Sequence, residues 1–506
     1  MSDPLGQEAW RSLLGISHSA EMGLQVQLRK ALSTAIADGR LSSLTPLPSS
    51  RSLSQMLAIS RTTVSLAYQQ LVDDGYLVSR ERQGYFVNPE MTATVAAADE
   101  GVACRQRGAI DWGRRIKVPI AGQRNIRKPH DWRGYPFPFI YGQRDPTLLA
   151  ISAWRECWRE AQSVRSIANA GCDLLDQDDS GLVEHLRSRV LPRRGVWAKP
   201  ENILITLGAQ NALALLARLL INRAHVVGVE DPGYPDARNM FQLESERVVP
   251  LRVDQDGLVV DGSVTQCDYL FVTPSLQSPT GVTLSQPRRQ ALLEMADLHD
   301  IVIIEDDYAS EGALGNQGAP ALKSEDESGR VLYCGSLSKS LGPGLRLGYL
   351  VADPAFIEQT RALRRLMVRH PPPLIQHAVA LFIEYGHYDS YVKRLSTAYR
   401  ERWQAMTAAL DAYLPDFVRP QEFSGSACWI QGPDWLNADV LAAESCRHGV
   451  LIEPGSVHYA GPDVSYNHFR LGFSAITAER IPAGVSELAR VVDGMRPSSR
   501  ALRAAR

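Results

Sequence analysis

Gly335-Ser336-Leu337-Ser338-Lys339, followed by Gly344-Leu345-Arg346-Leu347-Gly348-Tyr349, is the stretch on which the reading of this chain turns. The apolar run Val331-Leu332-Tyr333-Cys334 ahead of it reads as a strand that delivers Ser336, Ser338 and Lys339 at its end. A lysine that forms an imine with an aldehyde must present a neutral amine, so its pKa has to fall. Burial and the nearby Arg346 would both push it down. Arg346 is also a natural phosphate partner, because a planar guanidinium matches phosphate oxygens two at a time. The plainer reading of Lys339 is a surface lysine after a Ser-rich turn.

Working outward, apolar strands alternate with helices from about residue 200, the pattern of a mostly parallel α/β sheet. Ile203-Leu204-Ile205-Thr206 is a short strand. Gly208-Ala209-Gln210 then opens a helix expected over 211–220, and free backbone N–H groups at such a turn can cradle a phosphate. Alone this signal is weak. Tyr234, after Pro232-Gly233 at the end of the strand 226–229, can stack on a flat ring or simply pack in its loop. The strand Ile301-Val302-Ile303-Ile304 runs into Glu305-Asp306-Asp307-Tyr308. Three carboxylates there are hard to explain as core. One reading is a metal site, but no histidine lies close in sequence. The other is a carboxylate that pairs with a protonated pyridine nitrogen, with Tyr308 holding a phenolic oxygen.

The first ninety residues carry a different signal. Leu24, Leu28, Ala31, Leu32 and Ala35 share one helix face, which ends at Asp38-Gly39. After the Pro46-Leu47-Pro48 turn, Ser49 can cap a short helix over 51–57, and Ser60 can cap a third. In that third helix Val64, Ala67, Tyr68, Leu71 and Val72 lie together, leaving Arg61, Thr62, Thr63, Ser65 and Gln69 for solvent. Residues 76–78 and 85–87 read as two strands joined by the polar turn Arg80-Glu81-Arg82-Gln83-Gly84. Three helices and a basic hairpin make a winged helix-turn-helix over residues 1–88. Its Arg- and Thr-rich helix start suits a major groove and its Gly-tipped wing suits the DNA backbone. A small interaction module with a solvated polar face is the plainer alternative.

Residues 89–134 lack a sustained period and read as a basic tether, with Arg105, Arg107, Arg114, Arg115, Lys117, Arg124, Arg127 and Lys128. A domain over 135–496 follows, then a tail over 497–506. In its late part, Phe469-Arg470-Leu471-Gly472-Phe473 puts an arginine among apolar strand residues. That suits a carboxylate grip or a structural ion pair. The chain has 506 residues and a net charge of -2, so any nucleic-acid contact must come from a local patch. Its seven cysteines form no close pair of the zinc or redox kind, which leads us to expect a reducing cytoplasm and no structural metal. The N-terminus lacks the pattern of a signal peptide, and no apolar stretch is long enough to span a bilayer, so no membrane partner is expected.

Two resemblances sharpen this picture. The N-terminal segment resembles the GntR family winged helix, whose Leu-Pro-Ser-Ser-Arg and Ser-Arg-x-Thr-Val motifs stand here as Leu47 to Arg51 and Ser60 to Val64. It implies double-stranded DNA as partner, contacted through Ser49, Ser50, Arg51, Ser60, Arg61, Thr62, Thr63, Arg80, Arg82 and Gly84. The region 135–495 resembles the fold-type I pyridoxal phosphate enzymes of the aspartate aminotransferase superfamily. That likeness implies pyridoxal 5'-phosphate as cofactor, with Lys339 as its Schiff base lysine and Asp306 facing the pyridine nitrogen. Glu305 is the alternative, since many aminotransferases place the tyrosine three residues after the aspartate. It further implies that Tyr308 bonds the ring oxygen, Tyr234 stacks, and Gly208, Ala209, Gln210, Ser336, Ser338 and Arg346 hold the phosphate. Arg470 stands where this superfamily grips a substrate carboxylate.

The whole chain looks like the GntR/MocR regulators, which fuse these two parts. Aminotransferases usually carry Asn-Pro-Thr-Gly where this chain has Ser278-Pro279-Thr280-Gly281, and such regulators commonly lack that asparagine too. An amine-sensing subgroup has an arginine two residues after the stacking tyrosine. Asp236 stands there in this chain and would favour a cationic effector. The resemblance implies a cytoplasmic regulator and a head-to-tail homodimer with exchanged winged helices. Imine exchange at Lys339 would let it sense a small amino compound. A working aminotransferase with a DNA-binding appendage is the alternative.

Overall fold

The computed structural model describes residues 7–17, 22–41, 46–80, 83–91, 110–173, 176–308, 319–423, 425–461 and 463–496. Arg82, Cys104, the basic positions Arg105 and Arg107, and the tail 497–506 lie outside them. The chain separates into two compact units, Met1–Arg115 and Ile116–Arg506.

The first unit holds helices α1 (Gln7–Leu14), α2 (Leu24–Ala37), α3 (Ser50–Leu57) and α4 (Arg61–Asp73), then strands β1 (Leu77–Arg80) and β2 (Gly84–Val87). Its helix starts are set locally. The Ser49 hydroxyl accepts from Ser52 N–H and the Ser60 hydroxyl from Thr63 N–H, the side-chain caps expected of serine. Leu28, Leu32, Leu53, Tyr68 and Leu71 form its core, each contributing roughly 1.5–3 kcal/mol of burial. Helix α1 is an addition to the sequence reading. Trp10 and Leu14, one turn apart, are buried in that same core, but an eight-residue helix is too short to show a period. Arg80 and Gly84, read as turn, form the last paired rung of the hairpin.

The second unit is built on an eight-stranded mixed sheet. Its strands are β3 (Ile203–Thr206), β4 (Val226–Asp231), β5 (Arg247–Asp254), β6 (Gly257–Leu258), β7 (Tyr269–Val272), β8 (Val302–Asp307), β9 (Val331–Ser336) and β10 (Gly348–Val351). They lie in the order β3-β10-β9-β8-β7-β4-β5-β6. The run from β9 to β5 is parallel, while β10 is antiparallel to both neighbours. Helices α5 (Ala209–Leu220), α6 (Pro235–Glu244) and α7 (Leu337–Leu341) start just beyond β3, β4 and β9. A ligand site is therefore expected at the carboxyl ends of these strands. A smaller part follows, with α8 (Pro373–Glu384), α9 (His387–Tyr413) and a three-stranded sheet of β11 (Ala427–Gln431), β12 (Glu453–Pro454) and β13 (His468–Gly472) in the order β11-β13-β12.

The tether expected over 89–134 is not uniform. Residues 92–109 are outside the described set, but from Ile116 the chain belongs to the second unit. Among the described residues no helix is long and apolar enough to cross a membrane.

Candidate cofactor site and nucleic-acid interface

Four strand ends converge on one cavity of about 190 Å³ in the second unit. Its lining contains Gly208, Ala209, Gln210, Tyr234, Asp306, Tyr308, Ser336, Ser338, Lys339 and Arg346, so the structure brings these sequence candidates together. Tyr141, Gly142, Ser278 and Pro343 complete it.

Close approach explains the glycines. A Cβ on Gly348 would lie 2.8 Å from Ala209 N, so β10 can pass beneath the cradle only without a side chain. Gly208 caps α5 at φ +81°, and a Cβ there would meet the Arg346 guanidinium at 3.1 Å. The first N–H groups of α5 and Arg346 thus face a common space. Arg346 donates to the Leu207 carbonyl at 3.2 Å.

Ser336 caps α7, its hydroxyl accepting from Lys339 N–H at 3.4 Å. Ser338 departs from expectation. Its hydroxyl donates to the Leu347 carbonyl at 3.0 Å and accepts from Leu347 N–H at 2.8 Å. Its proton is therefore committed to the turn that carries Arg346, and a phosphate needs donors.

The three carboxylates of β8 have separate duties. Glu305 accepts from the backbone N–H groups of Leu322 and Lys323, at 2.7 and 2.8 Å. Asp307 is paired with Arg194 at 2.8 Å and accepts from Tyr333 at 2.7 Å. Only Asp306 lines the cavity, and its Oδ1 is buried with no hydrogen-bond partner. Burial pushes Asp306 up to about 7, against the opposing pull of Lys339. Among the described residues no group of three His, Cys, Asp or Glu side chains could hold a metal ion.

Lys339 is pushed down to about 7, first by burial, then by the positive charges of Lys128 and Arg470. Arg346, held responsible in the sequence reading, does not figure among these causes. Its guanidinium lies against Gly208 and the Leu207 carbonyl instead. Lys339 Nζ lies 4.4 Å from the centre of the Tyr141 ring and 5.7 Å from that of Tyr308. The Tyr308 and Tyr141 hydroxyls are hydrogen-bonded, and burial raises the pKa of both.

Arg470 sits 2 % exposed on β13, its guanidinium 4.2 Å from the Tyr141 ring centre. Its Nε donates to Glu453 at 2.9 Å, while its buried Nη2 has no partner. The ion pair named as the plainer reading is therefore present, with one donor left over. Asp236 is also engaged. It accepts from Gln210 at 2.7 Å, from the Tyr234 hydroxyl at 2.9 Å, and from Asn125. Three neutral donors already satisfy it, so a cationic effector there would have to displace them.

Sequence reasoning missed Lys128, Glu453 and Tyr141. Lys128 was one of several tether cations, and nothing in the sequence around Glu453 marks it. Tyr141-Gly142 could have been found as the segment where regular packing resumes.

In the first unit, Tyr68 donates from the middle of α4 to the Pro48 carbonyl at 2.9 Å, tying α4 to the turn that opens α3. Arg51, Arg61 and Thr62 are exposed, with Ser50 and Thr63 half-buried beside them. Ser49 and Ser60 spend acceptor lone pairs on capping, and the Ser60 and Thr63 hydroxyls also bond to each other at 2.7 Å. On the hairpin Arg80 lies over the Phe86 ring at 4.8 Å, and Gly84 turns at φ +104°. These positions share one unit, with short polar side chains and arginines available to phosphates.

A winged helix-turn-helix joined to an aminotransferase-type sheet with a half-buried lysine at its carboxyl edge defines a class: a DNA-binding regulator with an aminotransferase-like domain. Comparison with known proteins agrees. Residues 24–87 match the bacterial regulatory proteins of the gntR family, and residues 156–488 match aminotransferase class I and II. The chain is 39% identical over 469 residues to the HTH-type transcriptional regulator TauR of Rhodobacter capsulatus, covering 93% of this chain and 96% of that one. It is 28% identical to the probable rhizopine catabolism regulatory protein MocR of Rhizobium meliloti, over 94% and 95% of the two chains. Among solved structures it is similar to LysN, the alpha-aminoadipate aminotransferase of Thermus thermophilus. That structure is a complex with N-(5'-phosphopyridoxyl)-L-leucine; the TM-score is 0.68 at 27% identity, over 76% of this chain and 99% of that one. The chain belongs to the GntR/MocR type of transcriptional regulators.

Proposed function

We propose that this regulator holds pyridoxal 5'-phosphate at Lys339 and uses it to sense a small amino compound. The observation that carries the reading is the pairing of Lys339 with Asp306 in one cavity. Asp306 Oδ1, buried without a partner, is what a protonated pyridine nitrogen would satisfy. The first N–H groups of α5, the Ser336 hydroxyl and Arg346 would hold the phosphate, while Ser338 keeps Arg346 in place. When bound, the cofactor supplies an aldehyde carbon whose imine partner exchanges between the Lys339 amine and an effector amine.

The chain's own part is to keep that amine available. Burial and neighbouring cations leave Lys339 half-neutral near pH 7, so it can bind and release without a strong base. Tyr308 and Tyr234 line the cavity, where Tyr308 would hold a ring oxygen and Tyr234 would offer a stacking surface. Arg470 Nη2 offers one donor to an acidic group of the effector. Closure around the effector would favour one of two states of a homodimer, and the winged helices would read that difference on double-stranded operator DNA. Exposed Val164, Trp197 and Leu366 supply apolar surface that a second copy could cover.

An aminotransferase with a DNA-binding appendage is the second reading, favoured by the likeness to LysN. Ser278 lacks the amide that aminotransferases place near the ring oxygen, which favours sensing over turnover. The test is a cofactor-loaded chain treated with borohydride. A trapped adduct on Lys339, a spectral response to amines and no multiple-turnover keto-acid production support the sensor. Sustained turnover supports the enzyme, and no adduct overturns both.

A further inference from the structure

The segment 124–128 lies in the sequence between the DNA-binding unit and the sheet, yet Asn125 and Lys128 reach residues that border the cofactor site. The Arg124 carbonyl accepts from Arg238 at 3.3 Å and from Asn239 at 3.0 Å. Asn125 donates to Asp236, which also holds Gln210 and Tyr234. Lys128 goes deepest. Its Nζ is 3.2 Å from Glu453 Oε1 and donates to the Tyr141 carbonyl. A Cβ on Gly142 would meet Lys339 Nζ at 3.3 Å and Lys128 Nζ at 3.7 Å, so the two amines flank the same residue. Glu453, 3 % exposed, is shared between Lys128 and Arg470.

We propose that Lys128 is a positioning residue of the cofactor site: set between Lys339 and the Glu453–Arg470 pair, it makes docking of the connector and proton affinity at Lys339 depend on each other. Charge balance gives the physical reason. Lys339 is faced by Lys128 from the connector, Arg144 from the loop after Gly142, Arg470 from β13 and Asp306 from β8, with the Tyr141 and Tyr308 rings beside it. Glu453 neutralises one of the three cations on the effector side. An effector acid that took Arg470 Nη2 would crowd Glu453 and shift its carboxylate toward Lys128. The connector would then feel the occupant through Glu453, whose repulsion from the effector acid in a buried place changes its pairing with Lys128.

The inference rests on the cofactor reading, and the test separates the two. The full chain is loaded with pyridoxal 5'-phosphate, and the absorbance of the Lys339 adduct is titrated with pH. Lys128→Met removes a cation and should raise the midpoint by about one unit. Glu453→Gln removes an anion and should lower it, while Lys128→Arg should stay near the parent value. Opposite shifts are the signature, because a merely structural role gives no such sign reversal. Shifts in one direction, or none, overturn the proposal, and Lys128→Gln takes the place of Lys128→Met beside Glu453→Gln if Lys128→Met does not fold. If the parent chain takes up no cofactor, the functional reading fails. Amide exchange of residues 124–141 in the free chain then decides the inference. Faster exchange in Lys128→Met, restored in Lys128→Arg, supports it, and unchanged exchange overturns it.

Discussion

The two units place their candidate sites in opposite ways. In the first, the candidate contact residues stand on the surface, and their placement follows from short-range rules: a serine before each helix, an apolar face behind, a glycine at the hairpin. In the second, the chemistry is buried, and it depends on charges brought in from segments more than 300 residues apart in sequence, Lys128 and Glu453 among them. The difference teaches that a solvent-facing surface tolerates isolated charges, whereas a buried lysine is defined by every charge around it.

Four experiments press on that contrast. The largest effect should come from Lys339→Ala, which should abolish the borohydride-trapped adduct entirely while leaving operator retardation in place; a persisting adduct would place the chemistry on another lysine. Next, Trp10→Ala should cost the DNA-binding unit about 3–5 kcal/mol, since it empties a fully buried indole site. Calorimetry should show one transition moving down while cofactor absorbance stays, and a joint shift would break the separation of the units. Third, Arg61→Ala should weaken operator binding by roughly 1–3 kcal/mol and lower its salt dependence, read by retardation assays at several salt concentrations. Unchanged affinity would remove α4 from the interface.

The smallest effect concerns pH. The folded chain depresses Lys339 to about 7, so the amine is neutral above that value and charged below it. Between about 7 and 10.5 the unfolded chain binds more protons at this residue, so its contribution makes stability rise with pH across that window. Cofactor uptake should accelerate as pH rises through about 7 and then level off. A rise continuing to pH 10 would mean that Lys339 keeps its ordinary affinity for protons.

Much of the fold was legible. Ser49 and Ser60 announce their helices because capping needs only residues three apart in sequence. The strands into Asp306 and Ser336 are visible as apolar runs. What escaped had no local mark. Helix α1 is too short to show periodicity, Lys128 reads as one charge of a basic tether, and Ser338 reads as a phosphate donor although its hydroxyl bonds the Leu347 carbonyl. Nearness in sequence points to Arg346 as the charge that lowers the lysine's pKa, whereas Lys128 and Arg470 are the ones near it in space.

The sequence by itself determined the two-part plan, the winged helix, the lysine-bearing turn and the run of three carboxylates at a strand end, because each is written in contiguous residues obeying helix and strand periods. The tertiary structure alone decided which of Glu305, Asp306 and Asp307 faces the cavity, since successive strand residues point to opposite faces and only packing shows which face holds the cavity. It also decided that Arg470 already carries Glu453 and that the connector ends beside Lys339. Those are facts of distance in a buried, weakly screened interior, where a charge is set by its neighbours in space rather than in sequence.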